Sequence, residues 1–169
     1  MQNYCNKPED FFRELKGILI YNKAQISYID QIKGKFPQPD EAKFKFSVLP
    51  GDASRKIPTK TISGNIYYQP DITISLVDLT VKNRDEWYEN FNKFNHFAVV
   101  LVSNTEMMML GNDRFPLSIT VTDNLNDDGS GSDSFSLNIY GDTIIAPTVY
   151  KIVQKFLIKF FIPPVLSIP

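Results

Sequence analysis

Residues 115–140 read FPLSITVTD, NLNDDGSGSD and SFSLNIY, and they are the most informative part of the sequence about the fold. Both outer segments alternate apolar residues with serine, threonine or asparagine, as a strand does when one of its faces is buried. The alternating apolar residues are Leu117, Ile119, Val121, Phe135, Leu137 and Ile139. The polar middle segment contains Gly129 and Gly131, which is typical of an exposed loop. We therefore predict a β-hairpin with a solvent-exposed tip.

The tip of this hairpin is acidic, and its oxygen-bearing residues suggest a calcium site. They are Asp123, Asn126, Asp127, Asp128 and Asp133. The helix–loop–helix calcium motif needs a glycine followed six residues later by glutamate. Gly129 and Gly131 instead lead to Phe135 and Leu137. Since the predicted flanks are also strands, we interpret the loop as a hairpin tip and expect no metal there.

Working outward, apolar spacing predicts further strands and about three helices. Strands are expected over residues 43–49, 61–68, 72–81 and 97–103, and helices over 8–22 and 84–94 and from Pro147 onward. Trp87, Phe91 and Phe94 share one side of the second helix, which is expected to face the core. Residues 51–60 read as an exposed basic loop. The predicted fold is a β-dominated α+β domain, either an antiparallel sandwich or a curled sheet.

The C-terminal residues are apolar and basic. A helix from Pro147 places Lys151, Lys155 and Lys159 four residues apart on one stripe, beside a wide apolar face. Pro163 and Pro164 then prevent further helix, leaving an extended apolar tail. We divide the chain into residues 1–146, a single β-rich domain with an N-terminal helix, and residues 147–169, a helix and tail for subunit contacts. The expected contact residues are Phe156, Phe160, Phe161, Ile162, Val165, Leu166 and Ile168.

The chain has few residues of the types that form disulfides, bind zinc or belong to known catalytic motifs. The 169 residues include one histidine, His96, and one cysteine, Cys5, so the chain has no internal disulfide and no zinc site of the Cys/His kind. Phosphate-loop, dinucleotide-binding, nucleophile-elbow and zinc-protease motifs do not occur. We expect a structural role for His96, no cofactor and no enzymatic activity.

Targeting features are equally scarce. The first residues, MQNYCNKPEDFFREL, have no basic region leading into an apolar run, so they do not resemble a secretory signal. The longest apolar stretch lies near the C-terminus and is broken by lysines and prolines, whereas a spanning helix needs about 20 mainly uncharged residues. We expect a protein made in the cytoplasm, without membrane insertion.

The net charge of −1 is a cancellation. Residues 1–70 carry eleven basic and seven acidic side chains (+4), residues 71–142 carry four and twelve (−8), and residues 143–169 carry three and none (+3). Such asymmetry bears on partners and orientation rather than on fold. An ordinary set of solvated acidic loops would give the same numbers.

The segment LGNDRFPLSITVTDNLNDDGSGSDSFSLNIYGDTII, residues 110–145, resembles virion proteins of crAss-like and related Bacteroides-infecting tailed bacteriophages, especially small neck and tail components. The resemblance implies a structural subunit with a tail-tube-like or tail-terminator-like fold. It implies a six- or twelve-fold homo-oligomeric ring in the virion that connects the portal to the tail and contacts other neck and tail proteins. DNA would pass through this ring during ejection without sequence-specific binding.

The acidic middle third suits the wall of a DNA channel, because it would repel phosphates. This hypothesis predicts that Asp127, Asp128 and Asp133 face the lumen. Two alternatives remain open from the residues: a monomeric adaptor that binds another protein, and a binder of anionic surfaces or nucleic acid through Lys151, Lys155 and Lys159.

Overall fold

The computed structural model describes residues 15–48, 51–76, 81–124 and 134–151, with side chains described from residue 85 in the third range. The strands are β1 (Leu15–Asn22), β2 (Phe44–Ser47), β3 (Ala53–Lys56), β4 (Thr59–Ile62), β5 (Asn65–Tyr68), β6 (Asp71–Leu76), β7 (Lys93–Ser103), β8 (Glu106–Leu110), β9 (Leu117–Asn124), β10 (Ser134–Tyr140) and β11 (Thr148–Lys151). The helices are α1 (Tyr28–Ile32) and α2 (Val81–Asn90).

The long strand β7 organises the main sheet. One of its edges pairs with β1, while its other edge pairs with β9 near the start of β7 and with β8 farther along. β2 extends the sheet from β1, β11 extends it from β8, and β10, β6 and β3 extend it from β9. All these pairs are antiparallel, and together they form a nine-stranded curled sheet, a half-barrel. β4 and β5 form a separate hairpin.

Helix α2 covers the concave side of this sheet and completes the main core. Phe91 is fully buried, and its ring centroid lies 4.7 Å from that of Phe44 on β2. Trp87 lies edge-on to Phe135 on β10, with 5.3 Å between ring centroids. Trp87 of α2 and Phe91, the residue directly after this helix, therefore connect strands from both arms of the curled sheet.

A second, smaller core lies on the opposite face of β7. Alternate β7 residues point to the two sides, so Val99 belongs to the main core while Ala98 and Val100 belong to the smaller one. Tyr21 and Ile26 complete this smaller core, and half-buried Phe36 packs against it. Because both faces of β7 are covered, its apolar run is continuous.

The expected β-dominated class is confirmed, and the sheet is curled. β9 and β10 form the predicted hairpin, with Ser118 opposite Tyr140 and Asn124 opposite Ser134. Their predicted core-facing residues are buried. The second helix, expected over residues 84–94, is confirmed over residues 84–90; it begins earlier, at Val81, and residues 93–94 belong to β7. The described residues contain two α-helices, both short, instead of about three.

The predicted N-terminal helix is wrong over residues 15–22, which form β1. This strand lies between β2 and β7, so its backbone hydrogen-bonds on both edges. Ile18 and Ile20 face the main core while Tyr21 faces the smaller one. Apolar residues needed on both faces of a central strand produce a spacing that also matches a helix. Residues 8–14 lie outside the described part of the chain.

The predicted C-terminal helix is wrong over residues 148–151, which form β11. Thr148 lies opposite Met109 and Lys151 opposite Glu106, so pairing with β8 overrides the helical spacing. Val149, expected on the apolar helix face, lies half exposed in this strand. Residues 152–169, including all the expected subunit contacts and Lys155 and Lys159, lie outside the described residues.

Two other expectations need correction. The single strand expected over residues 61–68 is interrupted at Ser63 and Gly64, which have φ of 51° and 82° and reverse the chain between β4 and β5. The expected basic loop, residues 51–60, contains β3, although Arg55 and Lys56 are exposed as expected. β6 is central as expected, lying between β10 and β3. No helix within the described ranges is long and apolar enough to span a membrane.

Candidate functional site

An open groove of about 890 Å³ lies at one end of the curled sheet, where β7 begins and β8 and β10 end. Its walls combine aromatic, proline and charged side chains with several backbone segments. They are Lys23, Pro58, Gln69, Pro70, Asp71, Phe94, Asn95, Asp113, Arg114, Phe115, Pro116, Ser118, Tyr140, Gly141 and Asp142. A separate cavity of about 280 Å³ lies beside α1, between Gln25 and Glu41.

A β-bulge forms the first wall of the groove. Lys93 pairs with Ile119 and Phe97 pairs with Leu117, so three β7 residues lie opposite the single residue Ser118 of β9. The backbone N–H of Asn95 donates to Ser118 Oγ at 2.9 Å, and this hydroxyl group is nearly inaccessible to solvent. A bulge redirects side chains locally, and here it leaves Phe94 72% exposed at the groove.

Two asparagines hold this bulge in an uncommon backbone conformation. Asn92 has φ of 46° and Asn95 has φ of 51°, the left-handed region that most non-glycine residues avoid. Asn92 Oδ1 accepts a hydrogen bond from the N–H of Val121 at 2.9 Å, which ties the start of the bulge to β9. Lys23 Nζ donates to the carbonyl of Asn95 at 3.2 Å. Phe94 is therefore an exposed aromatic residue on a backbone fixed on both sides.

The second wall is the loop between β8 and β9, which is fixed by a buried asparagine. Asn112 Oδ1 accepts from the N–H groups of Arg114 and Phe115, both at 2.8 Å. Its Nδ2 donates to Oε1 of Gln31, a buried residue of α1, at 2.5 Å. Gly111 enters the loop with φ of 79°, and a Cβ there would lie 2.9 Å from Leu117 Cγ. The loop therefore has one well-defined position between α1 and the sheet.

The outer side of this loop carries stacked groups. The Arg114 guanidinium lies 4.7 Å from the centroid of the Tyr28 ring, and the Tyr28 ring lies 6.1 Å from that of Phe115. Asp113 Oδ1 accepts from the N–H of Tyr28 at 2.7 Å. The charged groups of this wall are thus engaged with α1.

The third wall joins the end of β10 to the start of β6. Tyr68 and Thr143 exchange two backbone hydrogen bonds, at 2.8 and 2.9 Å. Gln69 Nε2 donates to Asp142 Oδ1 at 2.8 Å. Tyr140, 37% exposed, follows Ile139 at this end of β10. The groove thus has aromatic side chains on three walls and is formed by backbone that is hydrogen-bonded on each of them.

The charges lining the groove slightly favour a cationic or neutral occupant. Three aspartates, Asp71, Asp113 and Asp142, oppose Lys23 and Arg114, and both cations already contact groups of the protein. The groove therefore offers aromatic and proline contact surface, a weakly negative field and few convergent reactive groups. This composition suits binding of an extended apolar segment better than catalysis.

Outside the groove, His96 and Tyr21 each contact other residues of the fold. His96 lies on β7, half-buried, with its ring edge-on to Phe97 at 5.4 Å. The Tyr21 hydroxyl donates to the carbonyl of Gln38 at 3.2 Å. Burial, followed by the charges of Glu41 and Asp40, raises the pKa of Tyr21 to about 12. Within the described residues, no cluster of histidine, cysteine and carboxylate side chains could hold a metal ion.

A second exposed apolar surface is formed by α1 and by β11, the strand that pairs with β8. Ile29 and Ile32 of α1 are 56% and 60% exposed, and Tyr150 of β11 is 55% exposed. Thr148 Oγ1 donates to the Gln31 carbonyl at 3.3 Å, so β11 lies against α1. We call Ile29, Ile32 and Tyr150 the α1–β11 patch.

Sequence reasoning did not find the groove. It assigned Phe94 to the buried side of a helix, which is wrong because α2 ends at Asn90 and the bulge turns Phe94 outward. A usable signal was present, since asparagine is enriched among non-glycine residues with positive φ and occurs at both 92 and 95. The acidic-loop residues Asp127, Asp128 and Asp133 lie outside the described part of the chain.

Comparisons with protein-family models, curated proteins and solved structures find no match to this chain.

Proposed function

We propose that this chain is a non-enzymatic structural subunit that assembles with copies of itself. The observation that carries the proposal is the α1–β11 patch, where three large apolar side chains are more than half exposed. β11, which carries Tyr150 of this patch, leads in the sequence directly into the apolar segment 152–169. Exposed apolar side chains next to further apolar sequence are typical of a surface that a neighbouring molecule covers.

Within this proposal the setting is a ring in the neck or tail of a tailed-bacteriophage virion, which connects the portal to the tail around the DNA channel. The resemblance of residues 110–145 to virion proteins supports this setting, as does the acidic charge of residues 71–142. Electron microscopy of the assembled ring tests it, with Asp127, Asp128 and Asp133 expected at the lumen. Finding this loop on the outer rim contradicts the DNA-channel role.

Native mass measurement of the full chain over a range of concentrations tests self-assembly. We expect a species larger than a dimer in wild-type protein, and its loss in the variant Ile32→Asp, which places a charge in the α1–β11 patch. Ile66→Asp is the matched control, because Ile66 is similarly exposed but lies on the separate β4–β5 hairpin. A monomer at every concentration would overturn the proposal and favour a monomeric adaptor.

A further inference from the structure

We infer that the groove is the receiving site for the proline-containing tail, residues 160–169, of a second copy of this chain. The inference rests on the proposed function and names a second contact, needed together with the α1–β11 patch, through which one subunit holds the next. Its starting observation is Phe94, a large apolar side chain exposed to 72% and oriented by a backbone with two left-handed asparagines. Most non-glycine residues avoid this conformation, and backbone outliers of this kind concentrate at functional sites.

The chemistry of the groove matches an extended proline-containing segment. Residues 160–169 read FFIPPVLSIP, and Pro163, Pro164 and Pro169 favour extended backbone without internal hydrogen bonds. Such segments bind in grooves lined by aromatic side chains, because their stiffness reduces the entropy lost on binding. Phe94, Phe115 and Tyr140 supply aromatic surface of this kind in the groove.

The charges of the tail segment and of the groove are also complementary. Residues 152–169 contain Lys155 and Lys159 and no acidic residue. The groove lining has three aspartates against two cations, Lys23 and Arg114, so its formal charge is −1. The two lysines would therefore approach a weakly negative rim as the tail enters.

The direction of β11 indicates that the tail comes from another copy. The loop that lines the groove follows Leu110, the last residue of β8. β11 is antiparallel to β8, with Thr148 opposite Met109 and Lys151 opposite Glu106, so it begins near the groove and runs away from it. At about 3.4 Å per residue, Lys151 lies roughly 10 Å farther from the groove than Thr148. The chain thus leaves β11 in the direction away from the groove, and a tail that continues this way enters the groove of a second copy, so that successive copies associate head to tail.

Disulfide trapping tests which copy supplies the tail. In a Cys5→Ser background, chains carrying Asp142→Cys at the groove are mixed with chains of different mass carrying Leu166→Cys. We expect disulfides between unlike chains, and their loss when Phe94→Ala is added to the groove-bearing chain. Ile66→Cys replaces Asp142→Cys as the control site and should not be trapped. If a chain with both cysteines instead closes an intramolecular disulfide at every dilution, the assignment to a second copy is overturned.

Two further measurements separate this inference from the proposed function. In native mass measurements, Phe94→Ala should abolish the species larger than a dimer while Ile66→Ala keeps it. If Phe94→Ala still assembles fully, the groove assignment is overturned although self-assembly stands.

If wild-type chain proves monomeric, a labelled peptide of residues 158–169 still tests the groove. Saturable binding weakened at least tenfold by Phe94→Ala supports the groove, and equal binding to both proteins overturns it. Phe94 is exposed, so a normal unfolding transition should confirm that the variant folds.

Discussion

Asn95 shows how a single residue positions the groove. Its φ of 51° is easy for glycine, tolerated by asparagine and strained for β-branched residues. Its side chain is exposed and accepts a long hydrogen bond, 3.4 Å, from Ser118 Oγ. The contribution of this position to stability therefore comes mainly from the backbone.

We expect Asn95→Val to lower the free energy of unfolding by about 1–3 kcal/mol, because valine disfavours positive φ. Asn95→Gly should change it by less than about 1 kcal/mol. Urea unfolding measures both. Asn124→Val is the matched control, since Asn124 is an exposed residue of β9 and valine suits a strand. Equal losses for Asn95→Val and Asn95→Gly would contradict the backbone explanation.

Because of Tyr21, the free energy of unfolding depends on pH in the alkaline range. Its folded-state pKa is about 12 because burial disfavours the phenolate, with Glu41 and Asp40 adding to the effect. The phenol of an unfolded chain loses its proton near pH 10. The stabilising effect of the neutral phenol is therefore complete below about pH 10 and is lost as pH rises through about 12.

Tyr21→Phe should remove this part of the stability loss between about pH 10 and 12. At pH 7 the variant should lose about 1 kcal/mol, since Tyr21 no longer donates to the Gln38 carbonyl. Urea unfolding across this pH range measures the difference from wild type. Tyr67→Phe, on the separate β4–β5 hairpin, should keep the wild-type dependence. A Tyr21→Phe curve parallel to wild type would refute the assignment.

At the scale of elements, helix α2 stabilises the curled sheet from its concave side. The Phe91 ring lies 4.7 Å from that of Phe44 on β2 and 6.0 Å from that of Phe97 on β7. Removing it leaves a cavity bordered by strands of the sheet. Because those strands are held by their own hydrogen bonds, the cavity cannot close fully.

We expect Phe91→Ala to reduce the free energy of unfolding by about 3–5 kcal/mol. Glu89→Ala, at an exposed position on α2 two residues before Phe91, should change it by less than about 0.5 kcal/mol. Urea unfolding curves measure the free energies of unfolding of the two variants, with one common slope of free energy against urea concentration used in fitting both. A loss below about 1 kcal/mol for Phe91→Ala would mean that α2 is not needed to close the core.

The number of buried faces of a strand and the distance in sequence to its pairing partner explain which elements the sequence could predict. β9 and β10 have one buried face each, so their alternation was readable and even their inward-facing residues were assigned correctly. β1 and β11 were mistaken for helices. β1 is covered on both faces, and β11 is an edge strand whose pairing with the methionines of β8 depends on residues about 40 positions away. Local spacing contains no information about such partners.

The groove could not be read from the sequence for a related reason. Its walls come from the start of β7, the β8–β9 loop and the β10–β6 end, which only the folded sheet brings together. Phe94 has the correct spacing to continue the buried side of α2, yet the helix ends at Asn90. The bulge depends on Ser118 of another strand accepting the Asn95 N–H. A tertiary hydrogen bond therefore determines whether Phe94 is buried or exposed.

For the whole molecule, the position of the groove and the direction of β11 determine the kind of assembly. If the tail of each copy occupies the groove of the next, the contact is heterologous: two different surfaces meet, and each copy has one of each. Repetition of such a contact closes a ring when the rotation between copies divides a full turn, and otherwise forms a filament. A symmetric dimer would instead stop at two copies.

A mixing experiment follows from this head-to-tail contact. Phe94→Ala leaves a chain with a working tail and no groove, and Leu166→Asp leaves a chain with a working groove and no tail, so each alone should be monomeric. Mixed together, the tail of the first can enter the groove of the second, but neither free end can extend further. Native mass measurement should then show a complex of one chain of each kind, at twice the mass of one chain, where wild-type protein forms a larger species. Ile66→Ala in place of Phe94→Ala keeps the groove and should assemble beyond two copies with itself. Recovery of the wild-type size in the Phe94→Ala and Leu166→Asp mixture, or no association at all, would contradict a contact made of one tail and one groove.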